Sequence, residues 1–99
     1  MKYAVRYASS ARNDIKRLYA YLLDRDENTA RRAVSVIEDA MKMLADFPFS
    51  CRKASPDNSF LRELVIPFGS AGYVALFEIE DSDTVTILAI RHQREDDYH

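Results

Sequence analysis

Cysteine occurs once in these 99 residues, at Cys51, so an intrachain disulfide is impossible and a structural zinc site built on paired thiolates is excluded. The two histidines, His92 and His99, have no cysteine near them. A metal site there would have to recruit Asp96 or Asp97, and solvated polar side chains are the simpler reading. No apolar run approaches the roughly 20 residues that span a bilayer, and the N-terminus lacks the charged, apolar and cleavable pattern of a signal peptide. The expected compartment is therefore the cytoplasm, with no membrane partner. Basic residues are not in excess either, since 14 Lys and Arg face 16 Asp and Glu for a formal net charge of −2. A protein that grips nucleic acid through phosphates usually carries the opposite balance. The remaining route to such a grip is a local patch gathered from Arg52, Lys53, Arg62, Arg91 and Arg94. Internal repeats, low-complexity tracts and linkers are absent, so residues 1–99 read as a single domain with one core and no cleft between lobes.

Hydrophobic periodicity organises what is present. Tyr3, Val5 and Tyr7 alternate with Lys2, Ala4 and Arg6, the period of a strand with one face on a core. Such an opening strand is either a solvated sheet edge or a rail on which another chain docks. Ser9 and Ser10 can cap the helix that follows, whose apolar face is Ala11, Ile15, Leu18 and Leu22, and Asp14 suits the dipole near its start. Asp26, Glu27, Asn28 and Thr29 interrupt that pattern. A second stripe of Ala30, Ala33, Val34, Ile37, Ala40, Met41 and Leu44 then runs towards Pro48, so the two helices form an antiparallel hairpin with Arg31, Arg32 and Lys42 on outer faces. Phe49 to Ser59 reads as an irregular connection. Beyond it, Leu61–Ile66 and Tyr73–Ile79 read as a hairpin punctuated by Pro67, Gly69 and Gly72. Thr84–Ile90 is a continuous apolar and β-branched run of the kind expected of a strand buried on both faces. Tyr73, Ala75, Phe77 and Ile79 share one face and read as core rather than as a base-stacking platform. The result is an α+β fold of order β-α-α-β-β-β, with the helical hairpin packed on one face of a mainly antiparallel sheet and the other face partly open.

The chemistry-bearing residues concentrate where that last run ends. Ile90 hands directly to Arg91, His92, Gln93 and Arg94, then to Glu95, Asp96, Asp97 and Tyr98, so groups able to bind anions or move protons are mounted on a rigid sheet rim. Against this stand plainer readings, in which Arg62 beside Glu63 forms cross-strand ion pairs and His92 is a satisfied sheet-end histidine.

The Arg62-Glu63-Leu64 and Gly72-Tyr73-Val74 steps, the Thr84–Ile90 run and Arg91-His92-Gln93-Arg94-Glu95 together resemble the ParE branch of the RelE/ParE toxin superfamily, in an order that covers nearly the whole chain. The resemblance implies the toxic half of a type II toxin-antitoxin pair, of the kind known as plasmid stabilisation systems. It implies a cognate antitoxin as partner, contact with operator DNA only through that antitoxin, and no cofactor. For a ParE-type toxin it implies inhibition of DNA gyrase by binding, for which Arg91, Gln93, Arg94 and Tyr98 are the candidate contacts. The alternative is a ribosome-dependent mRNA endoribonuclease, which needs a base, an acid and cations around the scissile phosphate. Arg62, Arg91, His92 and Tyr98 are the candidates for those roles, with Arg52 and Lys53 nearby. Glu95, Asp96 and Asp97 count against that alternative, since each carboxylate beside a phosphate clamp costs on the order of 1 kcal/mol even in a high dielectric. A third alternative is a regulatory member that binds its antitoxin and poisons nothing. The isolated chain is expected to be a monomer or weak dimer, with toxicity mapping to the sheet rim rather than to Arg31, Arg32 and Lys42.

Overall fold

The computed structural model describes residues 2–94. The chain opens with β1 (Ala4–Tyr7), forms the helical hairpin α1 (Ser9–Leu23) and α2 (Glu27–Asp46), and passes through a 3-10 turn at Pro48–Ser50. Four strands follow: β2 (Arg52–Ser55), β3 (Asn58–Phe68), β4 (Ala71–Ile79) and β5 (Thr84–His92). They assemble as one sheet of order β1-β5-β4-β3-β2, antiparallel throughout except where β1 lies parallel to β5. The α+β architecture is thus the one expected, with one addition. Part of the connection read as irregular is a short edge strand, β2, which pairs Arg52 with Glu63 and Lys53 with Arg62.

Both helices lie on the same side of the sheet. From α1, Ala11 and Leu18 are buried while Ile15 and Leu22 pack at the margin; from α2, Ala33, Ile37, Met41 and Leu44 are buried. Small Ala side chains on these faces let the helices approach closely. They meet Leu64 and Ile66 of β3, Tyr73, Ala75, Phe77 and Ile79 of β4, and Val85, Ile87 and Ile90 of β5. Phe77 and Ile87, cross-strand partners, are fully buried and mark the centre of the core. β5 is less enclosed than its apolar run suggested, because Thr84, Thr86 and Leu88 face the uncovered side and stay half-exposed.

Two glycines set how β3 and β4 pair. Gly69 and Ser70 connect β3 to β4 across the Phe68–Ala71 pair, and a positive φ at Gly69 alone (63°) identifies a type II′ turn, the twist-compatible choice for a two-residue hairpin. Gly72 follows for a different reason. A Cβ there would lie 2.2 Å from the Ile66 carbonyl oxygen, so no larger residue fits without moving the strand.

Helix starts use different chemistry from that expected. α1 has no side-chain cap: Ser10 instead donates its hydroxyl to the Leu88 carbonyl at 2.5 Å, and the Asp14 carboxylate accepts the Ile90 N–H at 2.9 Å. Between those two backbone groups β5 is bulged. Leu76 pairs with Ala89 and Phe77 with Ile87, so Leu88 has no opposite residue on β4, and α1 supplies partners to the backbone that the bulge displaces. At α2 the cap is conventional, with Asp26 accepting the Asn28 N–H and the Thr29 hydroxyl. Those bonds hold its carboxyl below the usual carboxylate range, the Thr29 hydroxyl contributing most.

The Asp14 latch is a charge-assisted hydrogen bond to a part-buried amide, so Asp14→Ala is expected to lower unfolding free energy by about 2 kcal/mol in urea titrations, with Asp14→Asn intermediate. Asp26 acts through pH. A carboxyl with a depressed folded-state pKa stabilises fully above its unfolded value, near 3.8, and loses that contribution as pH falls through the folded value. Asp26→Asn is expected to flatten the acid limb of stability measured by thermal melts below pH 4.5 or so.

Candidate functional site

Strand alternation decides what the C-terminal exit of β5 can do. His92 pairs with Tyr73 and so lies on the helix side of the sheet, whereas Arg91 pairs with Val74 and lies on the uncovered side. The His92 ring meets the Tyr73 ring edge to face, with centroids 5.7 Å apart. Its Nδ1 accepts the Arg94 N–H at 3.1 Å, so a neutral His92 carries its proton on Nε2. Burial pushes the Tyr73 phenol above its ordinary value, which keeps it protonated. The Gln93 N–H bonds the Gly72 carbonyl at 2.9 Å, extending the ladder one residue past the strand and leaving the Gln93 and Arg94 side chains exposed. Arg91 is half-buried and donates from Nη1 to its neighbour's carbonyl, that of His92, at 3.3 Å.

Arg62 belongs to another part of the molecule. Its register partner on β4 is Phe77, three residues from the Val74 that pairs with Arg91, and β4 separates the two strands. That offset puts the two Cα atoms on the order of 14 Å apart. The Arg62 guanidinium is engaged by backbone: Nε donates to the Ser59 carbonyl at 2.7 Å, and Nη1 to those of Phe49 at 3.1 Å and Cys51 at 2.8 Å. It also stacks 5.2 Å from the Phe49 ring centroid, and Phe49 packs edge to face on Phe60. The cross-strand ion pair in this region is Arg52–Glu63, at 3.0 Å. Cys51 is a buried free thiol that burial pushes up in pKa, against a smaller opposing pull from Arg62.

The expected patch of Arg52, Lys53, Arg62, Arg91 and Arg94 is therefore spread over both faces and two ends of the sheet. Tyr98 and the acids Glu95, Asp96 and Asp97 lie outside the described residues. Among the described residues, no group of His, Cys, Asp and Glu stands close enough to hold a metal ion. No helix among them is long and apolar enough to cross a membrane.

A cationic cluster does form elsewhere, from residues scattered along the chain. A cleft of ≈ 580 Å³ opens between the C-terminal half of α1, the β3–β4 turn and the exit of β5. Leu18, Leu22, Phe68 and Tyr73 are among its apolar lining, and Arg17, His92 and Arg94 are on its walls. Two more guanidiniums cover aromatic rings that line it, Arg25 at 3.8 Å from the Tyr21 centroid and Arg32 at 5.8 Å from that of Phe68. Arg32, expected on an outer face, thus turns towards the sheet, while Arg31 and Lys42 pair outwards with Glu27 and Asp39. The one readable signal was the Tyr21–Arg25 spacing of one helical turn.

Because its Nε and Nη1 brace three backbone carbonyls, Arg62→Ala is expected to unfold the β2 edge and cost about 2 kcal/mol in global stability, and Arg62→Lys to recover little of it. Urea titration, with amide exchange of β2 and β3, measures both.

Comparison with known proteins assigns the fold and family. Residues 5–97 match the family described as ParE toxin of type II toxin-antitoxin system, parDE. The chain is 34% identical over 92 residues to Toxin RelE3 of Caulobacter vibrioides, covering 93% of this chain and 96% of that protein. It is 32% identical to Toxin RelE1 of the same organism, covering 93% and 95%. In structure it resembles a chain of the chromosomal ParDE system from P. aeruginosa, with TM-score 0.73, 17% identity and coverage of 92% and 96%. It also resembles a chain of the toxin-antitoxin complex RelBE2 from Mycobacterium tuberculosis, with TM-score 0.63, 24% identity and coverage of 94% and 100%. With two helices on a five-stranded mixed sheet and a family match across nearly its full length, this chain belongs to the ParE toxin family of type II toxin-antitoxin systems, within the RelE/ParE superfamily.

Proposed function

We propose that this toxin acts by binding rather than by bond cleavage, inhibiting DNA gyrase when released from a cognate antitoxin. One observation carries the reading: among the described residues, the candidates for RNA cleavage point apart. Arg91 and His92 lie on opposite faces of the sheet, and Arg62 is spent on three carbonyls on the order of 14 Å away. In-line cleavage of a phosphodiester asks for base, acid and cation within hydrogen-bond reach of one phosphate. A binding surface asks only for exposed, rigidly mounted groups, and Gln93 and Arg94 are held at such a position by the Gly72 and His92 contacts. The net charge of −2 suits a protein target better than a phosphate backbone. The existence of an antitoxin partner is supported by the toxin-antitoxin complexes in which the similar folds occur.

The two relatives are named as RelE toxins, and the competing reading is a RelE-like ribosome-dependent mRNA endoribonuclease. A plasmid assay with purified gyrase separates the two. Gyrase inhibition should accumulate cleaved plasmid in proportion to toxin, and the double variant Gln93→Ala/Arg94→Ala should raise the concentration needed by about tenfold, as loss of a contact worth about 1.4 kcal/mol. Codon-specific mRNA cuts in a translation extract, with gyrase unaffected, would replace this reading by the other.

A further inference from the structure

We infer that the cleft between α1, the β3–β4 turn and the β5 exit is the docking site for an acidic segment of the target protein, one that carries a bulky aliphatic side chain between its carboxylates. This rests on the proposal that the toxin acts by binding a macromolecular target. Charge is the first argument. The chain as a whole is acidic, yet no acidic residue is among the described residues lining this cleft, while Arg17 and Arg94 are. Arg25 and Arg32 add positive charge beside Tyr21 and Phe68. Of the acids in the helix connection, Asp26 is engaged by the α2 cap and Glu27 by Arg31, while Arg17 on the cleft wall also meets Asp14 of its own helix at 3.8 Å.

The lining is the second argument. The volume of ≈ 580 Å³ falls within the range of about 300–1,000 Å³ typical of sites that enclose a ligand group. Leu18, Leu22, Phe68 and Tyr73 present mostly carbon, which suits an aliphatic side chain. A nucleotide base would need edge-reading partners, and the aromatic faces of Tyr21 and Phe68 are already occupied by guanidiniums. The arrangement is an apolar socket with a cationic collar. The collar Arg side chains are exposed, and their planar guanidiniums suit carboxylates, although Arg17 meets Asp14, Arg25 donates to the Tyr21 carbonyl and Arg32 to the Thr29 hydroxyl.

The test uses the full chain purified away from its antitoxin. Arg17→Glu/Arg94→Glu reverses the collar and Ser70→Trp plugs the socket from an exposed turn position, while Lys42→Glu on the far face of α2 is the control. Each is assayed for growth inhibition on induction, capture of purified gyrase, antitoxin affinity and melting temperature. The expected result is that collar reversal and plug each weaken growth inhibition and capture at least tenfold, that wild-type capture weakens at high salt, that melting temperature is unchanged and antitoxin affinity stays within twofold, and that Lys42→Glu behaves as wild type. Wild-type inhibition by both cleft variants overturns the inference, as does an antitoxin affinity that falls while inhibition persists. If the wild type inhibits growth without capturing gyrase, and the cleft variants still lose inhibition, the cleft assignment stands and the gyrase reading falls. A wild type that does neither overturns both.

Discussion

The contact on which the arrangement depends is the pair of side chains that α1 extends to the bulge in β5. Ser10 and Asp14 reach backbone groups on either side of Ala89, and in doing so join the first helix to the last strand. A bulge disrupts ladder bonding and turns a strand, and those displaced polar groups would be costly if left buried without partners. Here the helix provides them. The extra residue also resets the alternation of everything that follows, so that Ile90 enters the core and His92 comes to Tyr73, while Arg91 goes to the uncovered face. Where the C-terminal rim of β5 points is therefore settled by the bulge and its contacts with α1.

The same logic explains which parts were legible in the sequence. Both helical stripes, the opening strand and the three long strands declare themselves by period, because each buries one face on a common core. The bulge does not. Leu88 sits inside Thr84–Ile90 with apolar neighbours, and no glycine or polar break marks it, so the run reads as a regular strand. β2 is hidden for the opposite reason, since Arg52, Lys53, Ala54 and Ser55 form an edge with no apolar face to alternate. Ser10, placed where a cap belongs, and Asp14, suited to a dipole, proved to serve a strand that lies more than seventy residues on in the chain.

Charge was harder to read than shape. Counting basic residues near the C-terminus suggests a patch that includes Arg52 and Arg62, but one guanidinium is matched to Glu63 and the other caps a turn of backbone carbonyls. The collar around the cleft draws on Arg17 of α1, Arg25 of the turn that follows it, Arg32 of α2 and Arg94 beyond β5. No local pattern links these, because they are brought together by the packing of the helical hairpin on the sheet. Arginine in this fold has at least two distinct employments, bracing backbone at the β2 end and framing apolar surface at the other.

The parallel pairing of β1 with β5 has a consequence for synthesis. Ala4 to Tyr7 find their sheet partners at Thr84 to Ile87, so the first strand to leave the ribosome has no neighbour in the sheet until the final one emerges. Contacts of such long sequence separation close late. An interrupted translation product lacks β5, and with it the bulge, the latch to α1 and one wall of the cleft. A chain that stops short of β5 is thus an incomplete sheet whose opening strand has no neighbour to pair with.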